Sequence, residues 1–245
     1  MIEATVLRVS GIPCLLIRDN RFDRCPVVVH YHGWSGHKGS ARNPELWQIQ
    51  LASSGVTVIC PDCCEHGERQ TSKQFRKTFN GWAFICDAME QTRAEAAMLL
   101  DAILALPHVS TQRPQVSGIS MGGLIAQMVF AGDPRWASLV SVIGRSSFHQ
   151  ADAWCREAQS GTWAEKWCDR FATQNHPDRF VNRPVLFIDG ANDDDCPAAI
   201  NAETVRRINA LGGAAEQFVD PAAGHAFTAS MEARMTAWLV AHAAH

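Results

Sequence analysis

Short apolar runs rich in valine and isoleucine alternate with helix-length amphipathic stretches along almost the whole chain, and few folds accommodate that alternation. The runs are ATVLRV and PCLLI near the N-terminus, PVVVHYH (26–32), VTVIC (56–60), RPQVSG (113–118), LVSVIG (139–144), PVLFIDG (184–190) and AEQFV (215–219). A strand that reads as continuously apolar is buried on both faces, the property of a parallel sheet with helices above and below it. An α/β fold is therefore expected, with a mostly parallel central sheet of about eight strands and helices on both faces. The first two runs meet at Ser10-Gly11 and are expected to form an antiparallel hairpin. Helices are expected over about Pro44–Ser54, Lys73–Leu106, Ser120–Ala131, Ala198–Leu211 and Met231–Ala243. In the longest, Phe75, Phe79, Trp82, Cys86, Met89, Ala96, Leu100 and Ile103 recur near the helical period; Pro107 closes it, and Gly81 is a point for a kink.

With 47% hydrophobic residues, the 245-residue chain can bury one large core, and no linker or repeat divides it, so a single domain over 1–245 is expected. One stretch breaks the alternation. Residues 146–180 are too long for a simple crossover and read as two short helices around Ser160-Gly161; Trp154, Trp163, Trp167 and Phe171 give them an apolar face suited to a lid-like insertion or to crossover packing. The net charge of −3, with both signs scattered, provides no basic field for nucleic acid or an anionic membrane. Glu3 and Arg8 interrupt the N-terminal apolar stretches, and no run approaches the ~18 apolar residues of a membrane span, which predicts a soluble, cytoplasmic protein. Nine irregularly spaced cysteines suit a reduced compartment better than a disulfide framework. The CPDCCEH stretch (Cys60, Cys63, Cys64, His66) has no second ligand pair at zinc-site spacing, so a loop of small residues is expected there and no metal.

Chemistry enters with Gly118-Ile119-Ser120-Met121-Gly122, which follows a strand and opens a helix. Such a turn strains the serine backbone, and glycines two before and two after it let strand and helix approach closely. Ser120 would then project from the sheet edge, with the Met121 N–H and the helix N-terminus facing any developing oxyanion. A serine hydroxyl needs a positioned base and an acid to orient that base. FIDGANDDDCP places Asp193, Asp194 and Asp195 just past one strand, and DPAAGHAF places His225 past the next, so both emerge at the same edge as Ser120.

In the order serine, acid, histidine the chain resembles the alpha/beta-hydrolase superfamily. Further matches are His32-Gly33-Trp34 after a strand, Asp62…His66-Gly67 after the next, and Gly190-x-x-Asp193 with Pro197 beyond. The resemblance runs from roughly residue 26 to 240. It is greatest to compact bacterial serine esterases similar to dienelactone-hydrolase-like and prolyl-oligopeptidase-like catalytic domains. Dienelactone hydrolases proper usually carry a cysteine where this chain has Ser120.

The resemblance implies Ser120 as nucleophile, His225 as general base and then acid, and Asp193 as orienting carboxylate, with Asp194 the next choice. It implies an oxyanion hole from the N–H groups of Trp34 and Met121. His32 is read as shaping that loop, His66 as holding its own loop, and His30 as a satisfied histidine in a buried strand. Substrate contacts are expected from Trp34, His37, Trp154, Trp163 and Arg145, the last suited either to a substrate carboxylate or to an ion pair with Asp152 or Glu157. The expected reaction is hydrolysis of a small-molecule carboxylic ester through an acyl-enzyme, with no cofactor. A thioesterase or acyltransferase is the alternative, followed by a short-peptide hydrolase and a non-catalytic binding module. The acyl substrate is the only partner implied, and the oligomeric state is not legible.

Overall fold

The computed structural model describes residues 1–71, 81–147, 167 and 170–243, with the backbone alone for 81–84. Eight strands form one sheet: β1 (Ile2–Val9), β2 (Ile12–Asp19), β3 (Val27–Tyr31), β4 (Thr57–Pro61), β5 (Gln115–Ile119), β6 (Ser138–Val142), β7 (Val185–Gly190) and β8 (Ala215–Asp220). Their order across the sheet is β1-β2-β4-β3-β5-β6-β7-β8. The β1–β2 hairpin turns through Ser10 and Gly11, both at positive φ, and pairs antiparallel; β2 also pairs antiparallel with β4, while the pairs from β4 to β8 are parallel.

The helices are α1 (Leu46–Ser53), α2 (Gly81–Leu104), α3 (Met121–Gly132), α4 (Ala198–Ala210) and α5 (Ala229–Ala243). Alternating side chains of each strand feed two cores. Val27, Val29, Tyr31, Val185 and Phe187 join Leu100, Ile103, Ile125 and Phe130 of α2 and α3 on one face; Val28, Val140, Leu186 and Ile188 join Trp47, Leu51, Met235 and Trp238 of α1 and α5 on the other. Both faces of β3 are thereby consumed, which is why its sequence reads as an unbroken apolar run. Helix α2 ends three residues before Pro107, whose ring disfavours helical backbone in the residue preceding it. The expected start of that helix at 73 lies outside the described residues, as do Trp154, Trp163 and the Ser160-Gly161 break of the expected lid. From the end of that insertion, Trp167 is buried against Phe171, and Thr173–Asn175 and Pro177–Phe180 form single 3₁₀ turns. No helix among the described residues is long and apolar enough to cross a membrane.

Between β3 and β5 the direction of sheet growth reverses, since β4 lies on one side of β3 and β5 on the other. Tyr31 is in register with Gly118, so the loops leaving the carboxyl ends of β3 and β5 start side by side. Open α/β sheets build their sites at such a crevice.

Candidate active site

Ser120 links β5 to α3 at φ 53°, ψ −118°, a backbone conformation that side-chain-bearing residues rarely adopt. Its own N–H donates to the Val142 carbonyl at 2.8 Å, and its carbonyl receives the Leu124 N–H. Two close approaches make the flanking glycines obligatory: a Cβ at Gly118 would lie 2.1 Å from the Gly122 oxygen, and one at Gly122 would lie 2.0 Å from the Tyr31 oxygen. The strand-to-helix turn can therefore be this tight only with glycine at both places.

Ser120 Oγ lies 2.9 Å from His225 Nε2, and His225 Nδ1 lies 2.8 Å from Asp193 Oδ2. With Nδ1–H given to the carboxylate, Nε2 is the acceptor for the serine hydroxyl. The Asp193 side chain is wholly buried, whereas that of His225 is 29% exposed, so the imidazole reaches solvent and the acid does not. Asp193 Oδ1 also accepts the Cys196 N–H at 2.7 Å, which pins the carboxylate from the far side. Asp194 and Asp195, next to it, point to solvent.

The loop after β3 lies against this group. A Cβ at Gly33 would sit 3.6 Å from Ser120 Cβ, which brings the Gly33–Trp34 backbone to the serine. Met121 opens α3, so its N–H is among the four that find no acceptor within the helix. His32 braces the loop: its Nε2 accepts the Cys63 N–H at 3.1 Å, which requires the Nδ1–H tautomer, and Nδ1 donates to the Gly33 oxygen at 2.8 Å. Burial, reinforced by nearby His66, depresses its pKa to about 4 and keeps that tautomer neutral. His66 Nδ1 donates to the Cys64 oxygen, and its pKa is lowered, chiefly by burial. Buried Asp62 accepts the N–H groups of Lys38 and Glu68 and fixes the neighbouring turn. His30 is buried in β3 and hydrogen-bonds Ser117 Oγ at 2.9 Å.

The expected substrate contacts are distributed unevenly. Trp34 is half-buried with its ring edge on His66, and His37 is exposed, its Nδ1 accepting the Gly39 N–H. Trp154 and Trp163 lie outside the described residues, as do Asp152 and Glu157. Arg145 is 5% exposed, and its guanidinium donates to the carbonyls of Ser147 and Asp195. It therefore ties the end of β6 to the loop that carries Asp193. That link and the Cys196 N–H contact are the parts of the site that the sequence reading missed. The Asp-x-x-Cys spacing was the available signal for the second, since a carboxylate readily receives an N–H a few residues on.

Among the described residues one group has metal-ligand geometry: Asp193, Cys196 and His225, whose ligand atoms lie within 4.8 Å of one another. Its imidazole and carboxylate already bond each other, and burial pushes the Cys196 thiol far above its ordinary range, so the set favours proton chemistry. A hydroxyl hydrogen-bonded to an imidazole that is held by a buried carboxylate can give its proton to that imidazole during attack on a carbonyl and recover it afterwards.

The model of the dienelactone hydrolase family matches residues 12–244. Esterase YjfP of Escherichia coli strain K12 is 26% identical over 183 residues, which span 71% of this chain and 70% of that protein. Among solved structures, TT1662 from Thermus thermophilus superposes with a TM-score of 0.82 at 17% identity, covering 100% of this chain and 99% of its own. Acetyl xylan esterase 1 from Thermoanaerobacterium sp. JW/SL YS485 gives 0.76 at 17% identity, covering 99% and 87%.

Proposed function

Because this chain belongs to the dienelactone hydrolase family, we propose that it is a serine hydrolase that cleaves a small-molecule carboxylic ester through an acyl-enzyme on Ser120. The contacts of 2.9 Å from Ser120 to His225 and 2.8 Å from His225 to Asp193 are the observation that carries this reading. As Ser120 Oγ attacks the ester carbonyl, its proton passes to His225 Nε2, and the resulting imidazolium is stabilised by Asp193. The proton then goes to the leaving alkoxide. Water, deprotonated by the same nitrogen, attacks the acyl-serine and releases the acid. The negative oxygen of each tetrahedral intermediate is held by the N–H groups of Met121 and Trp34, each worth about 3 kcal/mol of transition-state stabilisation.

An esterase among the relatives supports the ester as the scissile bond. Trp34 and His37 stand on the loop next to the serine and serve as substrate contacts in this reading, with Trp154 and Trp163 of the lid-like 146–180 segment completing the pocket of a single 1–245 domain. Arg145 positions the Asp193 loop instead of meeting a substrate carboxylate, in keeping with the two carbonyls it already holds. The test is hydrolysis of p-nitrophenyl esters from acetyl to decanoyl by the wild type and Ser120→Ala. Turnover confined to the wild type is expected, and its chain-length profile sizes the acyl pocket. Equal turnover by both proteins would overturn the assignment, and fluorophosphonate labelling without turnover of any ester would replace water with another acyl acceptor.

A further inference from the structure

Away from Ser120, a cavity of about 220 Å³ opens between α2, the last turns of α3 and the 170–180 segment. Met128 and Ala131, on its wall, lie more than about 10 Å along the α3 axis from Ser120 at the helical rise per residue. Phe171 and Phe180 give it an apolar lining, and Arg93, Arg170, Arg179 and His176 line it as well. Arg93 and Arg170 both lie over the Phe171 ring, their guanidinium carbons 5.4 and 4.7 Å from its centroid.

Like charges gathered in a recess oppose one another unless something offsets them. Glu90 lies 3.7 Å from Arg170, but among the described residues no carboxylate comes within ion-pair distance of Arg93 or Arg179. Burial, together with Arg170 and Arg179, lowers the pKa of Arg93, so the local field is positive even with Glu90 present. The Arg93 guanidinium packs against Gly132 at the end of α3, its nearest nitrogen 3.0 Å from where a Cβ there would stand. Arg183 takes the carbonyls of Phe130, Asp133 and Trp136, and it bonds the Arg179 carbonyl as well.

We propose that this cavity binds a small organic anion, a carboxylate or phosphate on a compact apolar body, at a place separate from the Ser120–His225–Asp193 group. The planar forks of Arg93 and Arg179 match such oxyanions in bidentate fashion, and the phenylalanines accept the apolar part. The volume falls below that of pockets for drug-sized ligands, which selects a single-ring or short-chain molecule.

The test is calorimetric titration of the full chain with benzoate and with phenyl phosphate at fixed ionic strength, using benzamide as the uncharged control. Saturable one-to-one binding of at least one anion and none of benzamide is expected, with the stronger anion identifying the headgroup. Arg93→Gln and Arg179→Gln should each weaken binding at least about tenfold, Arg93→Lys should weaken it less, and Ser120→Ala should leave it unchanged. Should Arg93→Gln fail to fold, the exposed Arg179→Gln decides alone. No saturable binding, wild-type affinity retained in both glutamine variants, or loss of binding in Ser120→Ala would each overturn the proposal.

Discussion

Replacing Asp193 with asparagine preserves the size of the side chain and reverses the sense of one hydrogen bond. In the wild type both oxygens accept, Oδ1 from the Cys196 N–H at 2.7 Å and Oδ2 from His225 Nδ1–H at 2.8 Å. The Cys196 donor is a backbone group and cannot change its role, so the amide oxygen of asparagine must face it. The NH₂ group is then left opposite His225 Nδ1, where it can only donate. The imidazole responds by carrying its proton on Nε2, which points a donor at Ser120 Oγ and removes the base. A tautomer error of this kind costs on the order of 10⁴-fold in kcat, or about 5 kcal/mol of barrier. Since the buried Cys196 contact survives, Tm and KM should change little. Steady-state hydrolysis of p-nitrophenyl acetate, with Asp194→Asn as control, checks this. A loss of less than about tenfold in Asp193→Asn, or an equal loss in Asp194→Asn, would refute the reasoning from Asp193 to His225.

Other consequences follow from single contacts. Gly122→Ala puts a methyl into the Tyr31 carbonyl and should abolish folding or lower Tm sharply; a Tm within a few degrees of wild type would contradict the close approach seen at this turn. His32→Phe leaves the buried Cys63 N–H without its acceptor, so urea denaturation should show a loss of about 1–3 kcal/mol, along with a reduced kcat as the Gly33–Trp34 loop loosens. Burial, outweighing amide donors on Gln217 and Asn201, raises the Asp189 carboxyl to about 7. Against an unfolded value near 4, that raised pKa means the folded state binds the extra proton, so this contribution is complete below about pH 4 and is lost as pH rises through about 7. Asp189→Asn should therefore flatten the decline of stability between pH 4 and 8, and parallel profiles would exclude the effect. Arg145→Ala should lower kcat alike for acidic and neutral esters through the freed Asp195 carbonyl; a rise in KM for acidic esters alone would make Arg145 a substrate contact.

The strands were legible because each of β3, β6 and β7 fills both cores and so reads as a largely apolar run bounded by loop residues. The site was legible for a related reason. Parallel strands end at one edge, so Ser120, Asp193 and His225, each just past a strand, had to emerge together. Contacts between loops left no such periodic trace. His32 bracing Cys63 joins residues from two loops, and Arg145 bonding the Asp195 carbonyl crosses from β6 to the loop after β7. Among three adjacent aspartates, the distance from Gly190 and Pro197 pointed to Asp193, and it is Asp193 that is buried while Asp194 and Asp195 are exposed. The arginines around Phe171 were invisible because α2 and the 170–180 segment, far apart in sequence, supply them separately.

The most direct test of the central claim is to mix the enzyme with excess p-nitrophenyl acetate, quench in acid within the first turnovers, and digest for mass spectrometry. The account predicts a peptide containing Ser120 that carries one acetyl group, absent from Ser120→Ala and depleted when the ester is exhausted before the quench. Steady release of acetate with no acyl group on Ser120, or an acyl group on a cysteine in its place, would contradict it.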